Sequence, residues 1–221
     1  NFEEHYSGDS LKGNYIAGVY YTDKTRVGWW KNGYPEYFAK VLNAPRWIGI
    51  DISVNEKPLD LSTSKVHSFF RILNMKEGYL ERRFRVSVSG NKTIEVNTRR
   101  FLSMSEPDLG LIKYSIRSID FEGTISYTVY LDANVRNEDT NYGKNFWKEV
   151  SRDVTAGSGI LISRTMKTNF YVSIGMCYEL LRNGAKIPVE PGIVNLKKYV
   201  ANSFIISVNP GEEWTLNKYV S

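Results

Sequence analysis

The sequence predicts an all-β domain, an antiparallel sandwich or barrel with at most one or two short helices. Three observations carry this. From residue 45 onward, apolar and polar residues alternate with period two, as they do along a strand with one buried face. Clusters of Gly, Asn, Asp, Pro and Ser break the alternation at regular intervals, which is the sign of strands joined by short turns. The chain has 221 residues, 42% of them hydrophobic, enough for one sizeable core in a single domain over 1–221.

Residues 1–42 lack a clean period. Tyr15, Tyr20, Tyr21, Trp29, Trp30, Tyr34, Tyr37 and Phe38 are broken up by Gly13, Gly18, Gly28 and Gly33. Ordered loops with short strands are expected here, for example over 15–21. Pro35 in a first helical position suggests one or two helical turns over 35–42. Each ring can plug one end of a sandwich; as a set, flat rings on irregular backbone read as an interface.

Residues 47–54 place Ile48, Ile50, Ile52 and Val54 on one strand face. Asn55-Glu56-Lys57 turns, and 58–61 returns as a short edge-like strand. Strands follow over 67–75, 79–88, 92–104, 109–119 and 124–131, separated by turn clusters such as Lys76-Glu77-Gly78 and Asp120-Phe121-Glu122-Gly123. Residues 132–150 interrupt the pattern with amides and carboxylates. They read as a long functional or docking loop, with a short helix over 144–150. Strands over 159–164 and 169–179 come next. Asn183-Gly184 is a two-residue hairpin signal, because both residues tolerate the positive φ of a type I′ turn. Strands over 196–208 and 214–220 finish the sheet.

Composition excludes several classes. The net charge is +5, but the basic residues are dispersed apart from Arg82-Arg83, Arg85, Arg99-Arg100 and Lys197-Lys198. These read as solvated strand faces; there is no nucleic-acid motif, and no nucleic-acid partner is expected. No apolar run approaches the roughly 18–20 residues of a spanning helix, so no membrane partner is expected either. The chain opens without Met or leader, and both ends read as cuts from a longer protein.

Catalytic sets are missing. There is no phosphate-cradling loop, no dinucleotide fingerprint and no nucleophile elbow. The single Cys177 lies in an apolar stretch and reads as a buried small hydrophobe. His5 and His67 stand far apart without cysteine company, a poor start for zinc. The carboxylates and amides of 132–150 match no calcium loop, so no metal is expected. Asn91-Lys92-Thr93 fits a glycosylation triplet but reads as a hairpin tip. Glu3 and Glu4 are adjacent, so on a strand they would point to opposite faces and could not form an acid/base pair. One of them could still reach a neighbouring domain's pocket.

Three further readings of the residues stay open: an accessory domain, a carbohydrate-binding module stacking sugars on Trp29, Trp30 and Tyr34, and an epimerase built on His5 or His67 with a Glu. A resemblance orders them. The run Asn1-Phe2-Glu3-Glu4-His5-Tyr6-Ser7-Gly8-Asp9 with Asp23-Lys24-Thr25-Arg26-Val27-Gly28-Trp29-Trp30-Lys31-Asn32-Gly33-Tyr34-Pro35 resembles the N-terminal domain of glycoside hydrolase family 65. Gly78-Tyr79-Leu80-Glu81-Arg82, Arg100-Phe101-Leu102-Ser103-Met104, Asp132-Ala133-Asn134-Val135-Arg136-Asn137 and Trp214-Thr215-Leu216-Asn217-Lys218 resemble later signatures in the right order. The family's Gly-rich lead-in strand is absent here, which fits a cut.

That family includes maltose, trehalose and kojibiose phosphorylases. The resemblance implies a large antiparallel β supersandwich of the galactose mutarotase type, preceding a linker and an (α/α)6 barrel that carries the general acid and the phosphate site. It further implies a catalytically silent chain with no cofactor, inorganic phosphate being the parent's co-substrate and an α-linked glucose disaccharide its substrate. The implied partners are the barrel itself and a homodimer mate, in a cytoplasmic setting. Candidate rim or barrel-interface residues are Phe2, Glu3, Glu4, Trp29, Trp30 and Lys31.

Overall fold

The computed structural model describes residues 2–9, 13–25, 29–90, 92–137 and 145–221, without the side chains of Trp29, Trp30 and Ser89. The described residues form sixteen strands: β1 (Tyr20–Lys24), β2 (Tyr37–Val41), β3 (Ile50–Val54), β4 (Lys57–Pro58), β5 (Lys65–Asn74), β6 (Tyr79–Ser89), β7 (Lys92–Leu102), β8 (Gly110–Ser118), β9 (Gly123–Asp132), β10 (Trp147–Thr155), β11 (Ser158–Thr165), β12 (Tyr171–Arg182), β13 (Ala185–Ile187), β14 (Gly192–Leu196), β15 (Tyr199–Val208) and β16 (Glu213–Val220). The antiparallel all-β expectation holds.

A nine-stranded sheet runs β10-β11-β12-β16-β8-β7-β6-β5, with β13 added on β12; a five-stranded sheet runs β14-β15-β9-β3-β4. Their inner faces meet in one core. Ile50, Ile52 and Val54 of β3, Ile125 and Val129 of β9 and Val200 of β15 pack in one cluster with Phe84, Val86, Val96, Ile112, Ile116 and Leu216. Each such side chain taken from water contributes about 1.5–3 kcal/mol. Tyr127 stacks on Phe204 at 5.2 Å, and Phe204 on Tyr178 at 5.7 Å, bridging the sheets with rings. The larger sheet outreaches the smaller at β5, whose side chains are exposed on both faces except at its last residue.

Turn chemistry explains the hairpins. Asn183 and Gly184 have φ of 48° and 84°, the type I′ geometry expected from the dipeptide. Asn55 and Glu56 also have positive φ, and the Asn55 side chain accepts a 2.8 Å hydrogen bond from the Thr124 amide.

Several expectations are corrected. Residues 35–42 form no helix: β2 pairs with β1, and Lys40 of β2 makes a buried 2.5 Å ion pair with Asp23. A pairing partner outweighs the single Pro35 signal. Among the described residues the one helical piece is a 3-10 turn at Trp29–Asn32. In place of a helix over 144–150, β10 begins at Trp147; Lys144 lies outside the described residues, as does Asn91 of the glycosylation triplet. The strand expected over 196–208 starts only at Tyr199, because Lys198 turns the chain at φ 62° and Leu196 ends a separate strand, β14. Cys177 is exposed, since Val172, Ile174 and Met176 occupy the inward parity of β12.

A second, smaller core ties the early segment down. Tyr21, Leu42 and Ala44 pack with Phe146, Trp147 and Val172. Asn137 accepts from the Asn43 amide at 2.9 Å and donates to the Val41 carbonyl at 2.8 Å; the Trp147 indole donates to the Asn43 carbonyl at 2.8 Å. The described part of the long 132–150 segment is thereby fastened to residues 41–44.

Candidate functional site

Period-two strands place two rows that contain basic residues on the inner face of the nine-stranded sheet. One row aligns Arg71, Arg82, Thr98, Tyr114 and Leu216 across β5, β6, β7, β8 and β16. The next aligns Leu73, Leu80, Arg100, Ile112 and Lys218. Basic residues in inward positions need partners, because an unpaired buried charge costs several kcal/mol. The lead segment supplies them.

Glu3 and Glu4 sit in a bend, so their side chains do not alternate as they would on a strand. Both carboxylates converge on Arg82, and all three residues are buried. Arg82 donates from Nη2 to both oxygens of Glu4 at 2.9 Å and to Glu3. Arg100 donates to Glu3 at 3.0 Å, and the Tyr114 hydroxyl donates to Glu4 at 2.5 Å. Two carboxylates therefore face two guanidiniums. The Arg82 guanidinium also lies 4.8 Å from the Phe2 ring and 5.5 Å from Phe84. Its Nε and Nη1 are buried with no hydrogen-bond partner among the described residues.

Four further residues, Arg46, Ile50, Asp60 and Ser62, hold the lead segment. Arg46 donates to the carbonyls of Phe2 and Glu3 at 3.0 Å and of Glu4 at 3.4 Å. The Ile50 amide donates to the Glu3 carbonyl at 3.0 Å. Asp60 accepts from the Ser7 amide at 3.1 Å, and the Ser7 and Ser62 hydroxyls meet at 2.7 Å.

The electrostatics follow from this packing. Burial opposes ionisation of Glu3, but the Arg82 and Arg100 charges outweigh it and hold the carboxyl below its ordinary range. Burial and the Glu4 charge push the Tyr114 hydroxyl well up. For Asp60, burial is overcome by hydrogen bonds from Ser7 and Ser62, which bring its carboxyl down to about 2. Lys218 is fully buried between the sheets. Its ammonium donates to the carbonyls of Trp47 at 2.6 Å, Gly49 at 3.0 Å and Tyr130 at 2.8 Å. Burial, then repulsion from Arg46, pulls its pKa well below the ordinary lysine range. It locks β16 of one sheet to β9 of the other and to the segment entering β3.

Of the residues singled out in the sequence, Phe2, Glu3 and Glu4 are brought together in this cluster. Lys31 is exposed on the 3-10 turn, with no hydrogen bond or ion pair to the cluster among the described residues; the Trp29 and Trp30 side chains lie outside the description. His5 is largely exposed, 4.0 Å from Asp60, and His67 shares a 2.8 Å hydrogen bond with Ser87. Among the described residues no group of three or more His, Cys, Asp or Glu is arranged to hold a metal. Arg82 and Arg100, expected on solvated faces, are buried and largely buried respectively. Arg46, Tyr114 and Lys218 carried no functional expectation.

Chemically, the cluster is a closed set of ion pairs. A general acid needs a proton to give near working pH, and a general base needs a free lone pair within reach of substrate. The Glu3 and Glu4 oxygens already accept from Arg82, Arg100 and Tyr114, so neither presents a free lone pair to a substrate.

Comparison with known proteins agrees with the residues. The model for "Glycosyl hydrolase family 65, N-terminal domain" matches residues 1–221. The chain is 41% identical over 204 residues to maltose phosphorylase of Bacillus subtilis, covering 92% of this chain and 27% of that protein. It is 28% identical over 240 residues to alpha,alpha-trehalose phosphorylase of Thermoanaerobacter brockii, covering 100% of this chain and 30% of that one. The chain thus spans less than a third of these relatives. A solved structure of a putative kojibiose phosphorylase from human microbiome superposes over 100% of this chain and 28% of its own, with a TM-score of 0.84 at 24% identity, which shows the shared fold.

Proposed function

The chain belongs to glycosyl hydrolase family 65 as its N-terminal domain, and on that premise we propose that it is the non-catalytic accessory domain of an α-glucoside phosphorylase or hydrolase. It packs against a catalytic (α/α)6 barrel and supports the rim of the barrel's pocket. The parent reaction is inverting cleavage of an α-linked glucose disaccharide by phosphate or by water. The observation that carries this reading is the internal pairing of Glu3 and Glu4. The acidic groups nearest the start of the chain are spent on holding the lead segment to the sheet, which suits a scaffold and not a reaction centre. Phe2, with the exposed Lys31, remains a candidate for contact with the barrel, and Glu3 and Glu4 act by fixing where Phe2 sits.

Fold alone would not select this function. Support comes from the relatives' names, all phosphorylases or glycosyl hydrolases, and from the small share of their length that the chain covers. The test is phosphate consumption with maltose, trehalose and kojibiose, run on the full-length enzyme and on this chain side by side. Turnover confined to the full-length enzyme is expected. Turnover by the 221-residue chain would overturn the reading.

A further inference from the structure

The two ends of the nine-stranded sheet differ. At one end lie the turns 119–123 and 209–212, which are mostly polar, and the large ring there, Phe121, is folded inward and buried. At the other end β5 and β7 finish, β6 and β8 begin, and β16 finishes, with Leu102, Gly110 and Val220 in register. This rim is apolar. Leu73, Met75, Phe101, Leu102, Met104 and Leu109 are all exposed, Met104 to 95% and Met75 to 83%. They come from two strands, β5 and β7, and the two turns that follow them. Exposed apolar side chains grouped together and rimmed by polar residues are the mark of an interaction surface.

Resting on the accessory-domain reading, we propose that this rim is the seat of the polypeptide that succeeds the domain in the family's longer chains. Two observations select that occupant. The match is to an N-terminal domain and covers 27% of the maltose phosphorylase, so most of that relative's length lies beyond it. The end of β16 lies on the same rim, with Val220 in register with Gly110 and Leu102 and the Ser221 amide 3.1 Å from the Gly175 carbonyl. The chemistry asks for an apolar face. Two flexible thioethers, Met75 and Met104, adapt to such a face without a single fixed geometry. The rim also adjoins Arg100, which pairs with Glu3, so the seat lies next to the anchored lead segment.

The test is thiol labelling on the full-length enzyme in a Cys177→Ser background, with other reactive cysteines removed. One variant carries Met104→Cys on the rim. A second carries Ile205→Cys on the outward side of β15, which is 71% exposed in this chain. Both side chains are open here, so neither substitution disturbs the core. Maleimide labelling of Met104→Cys is expected to run at least about tenfold slower than that of Ile205→Cys. Equal rates would overturn the inference. Protection of Met104→Cys that fades on dilution would overturn it too, because a second copy would then be the occupant. Turnover by the isolated chain would refute the accessory reading while leaving these rates unchanged, so the two failures are distinguishable.

Discussion

Replacing Arg82 with methionine tests the buried anchor. Arg82 is 1% exposed and pairs with two carboxylates, themselves 1% and 2% exposed. Methionine keeps most of the volume, so the cavity contribution is small. What remains is charge. Glu3 keeps Arg100 and Glu4 keeps the Tyr114 hydroxyl, but one of two guanidiniums facing two carboxylates is gone. Removing one partner of a buried pair costs about 3–5 kcal/mol, against a total stability of about 5–15 kcal/mol for a domain. At about 2–4 °C per kcal/mol for this chain length, the midpoint should fall by about 6–20 °C. A thermal melt of the 221-residue chain reads the midpoint, and urea denaturation monitored by tryptophan fluorescence reads the free-energy loss. The triple variant Glu3→Gln, Glu4→Gln, Arg82→Met removes the stranded charges and should recover at least about 1 kcal/mol over Arg82→Met alone. A loss under about 1 kcal/mol in Arg82→Met, or a triple variant no better than the single one, would refute the anchor.

Other perturbations test the same geometry. Lys218→Met leaves three buried carbonyls without their donor and should cost at least about 2 kcal/mol in the same denaturation assay. Glu3 has a lowered folded pKa, so its contribution is fully present above the unfolded value near 4.5 and is lost as pH falls below it. The stability gap between the native chain and Glu3→Gln should therefore shrink in acid denaturation. Asp60 falls from 3.8 to about 2, so its contribution, up to about 2 kcal/mol, is complete above pH 3.8 and fades toward pH 2. Stability compared with Asp60→Asn at pH 6 and at pH 2 checks it. Gly184→Ala puts a Cβ at φ 84° and should cost about 1–2 kcal/mol by thermal melting.

Much of this was legible in the sequence, at particular places. Ile48, Ile50, Ile52 and Val54 announced β3 and its inward face, and Asn183-Gly184 announced its turn. The helix expected over 35–42 failed because β2 depends on β1, a partner about 17 residues away that local propensity does not see. The break between β14 and β15 escaped because Lys197-Lys198 carries no turn chemistry, yet Lys198 adopts positive φ. The anchor was half legible. Parity marks Leu80, Arg82, Phe84 and Val86 as one face, and Trp214, Leu216, Lys218 and Val220 as another, so a charged residue inside each inward row was visible. Reading the basic pairs as surface charge hid it. That Glu3 and Glu4 answer Arg82 from 78 residues or more away depends on a bend in the lead segment, and no local pattern encodes that.

The most direct measurement of the central claim is sugar titration of the 221-residue chain itself, read by backbone amide shifts with maltose, trehalose and kojibiose in phosphate. With its acidic groups paired internally, the chain is expected to show no saturable shifts at affinities of about 1 mM or tighter. Saturable shifts around His5, His67 or the 29–37 segment would contradict the account and assign the sugar to this domain.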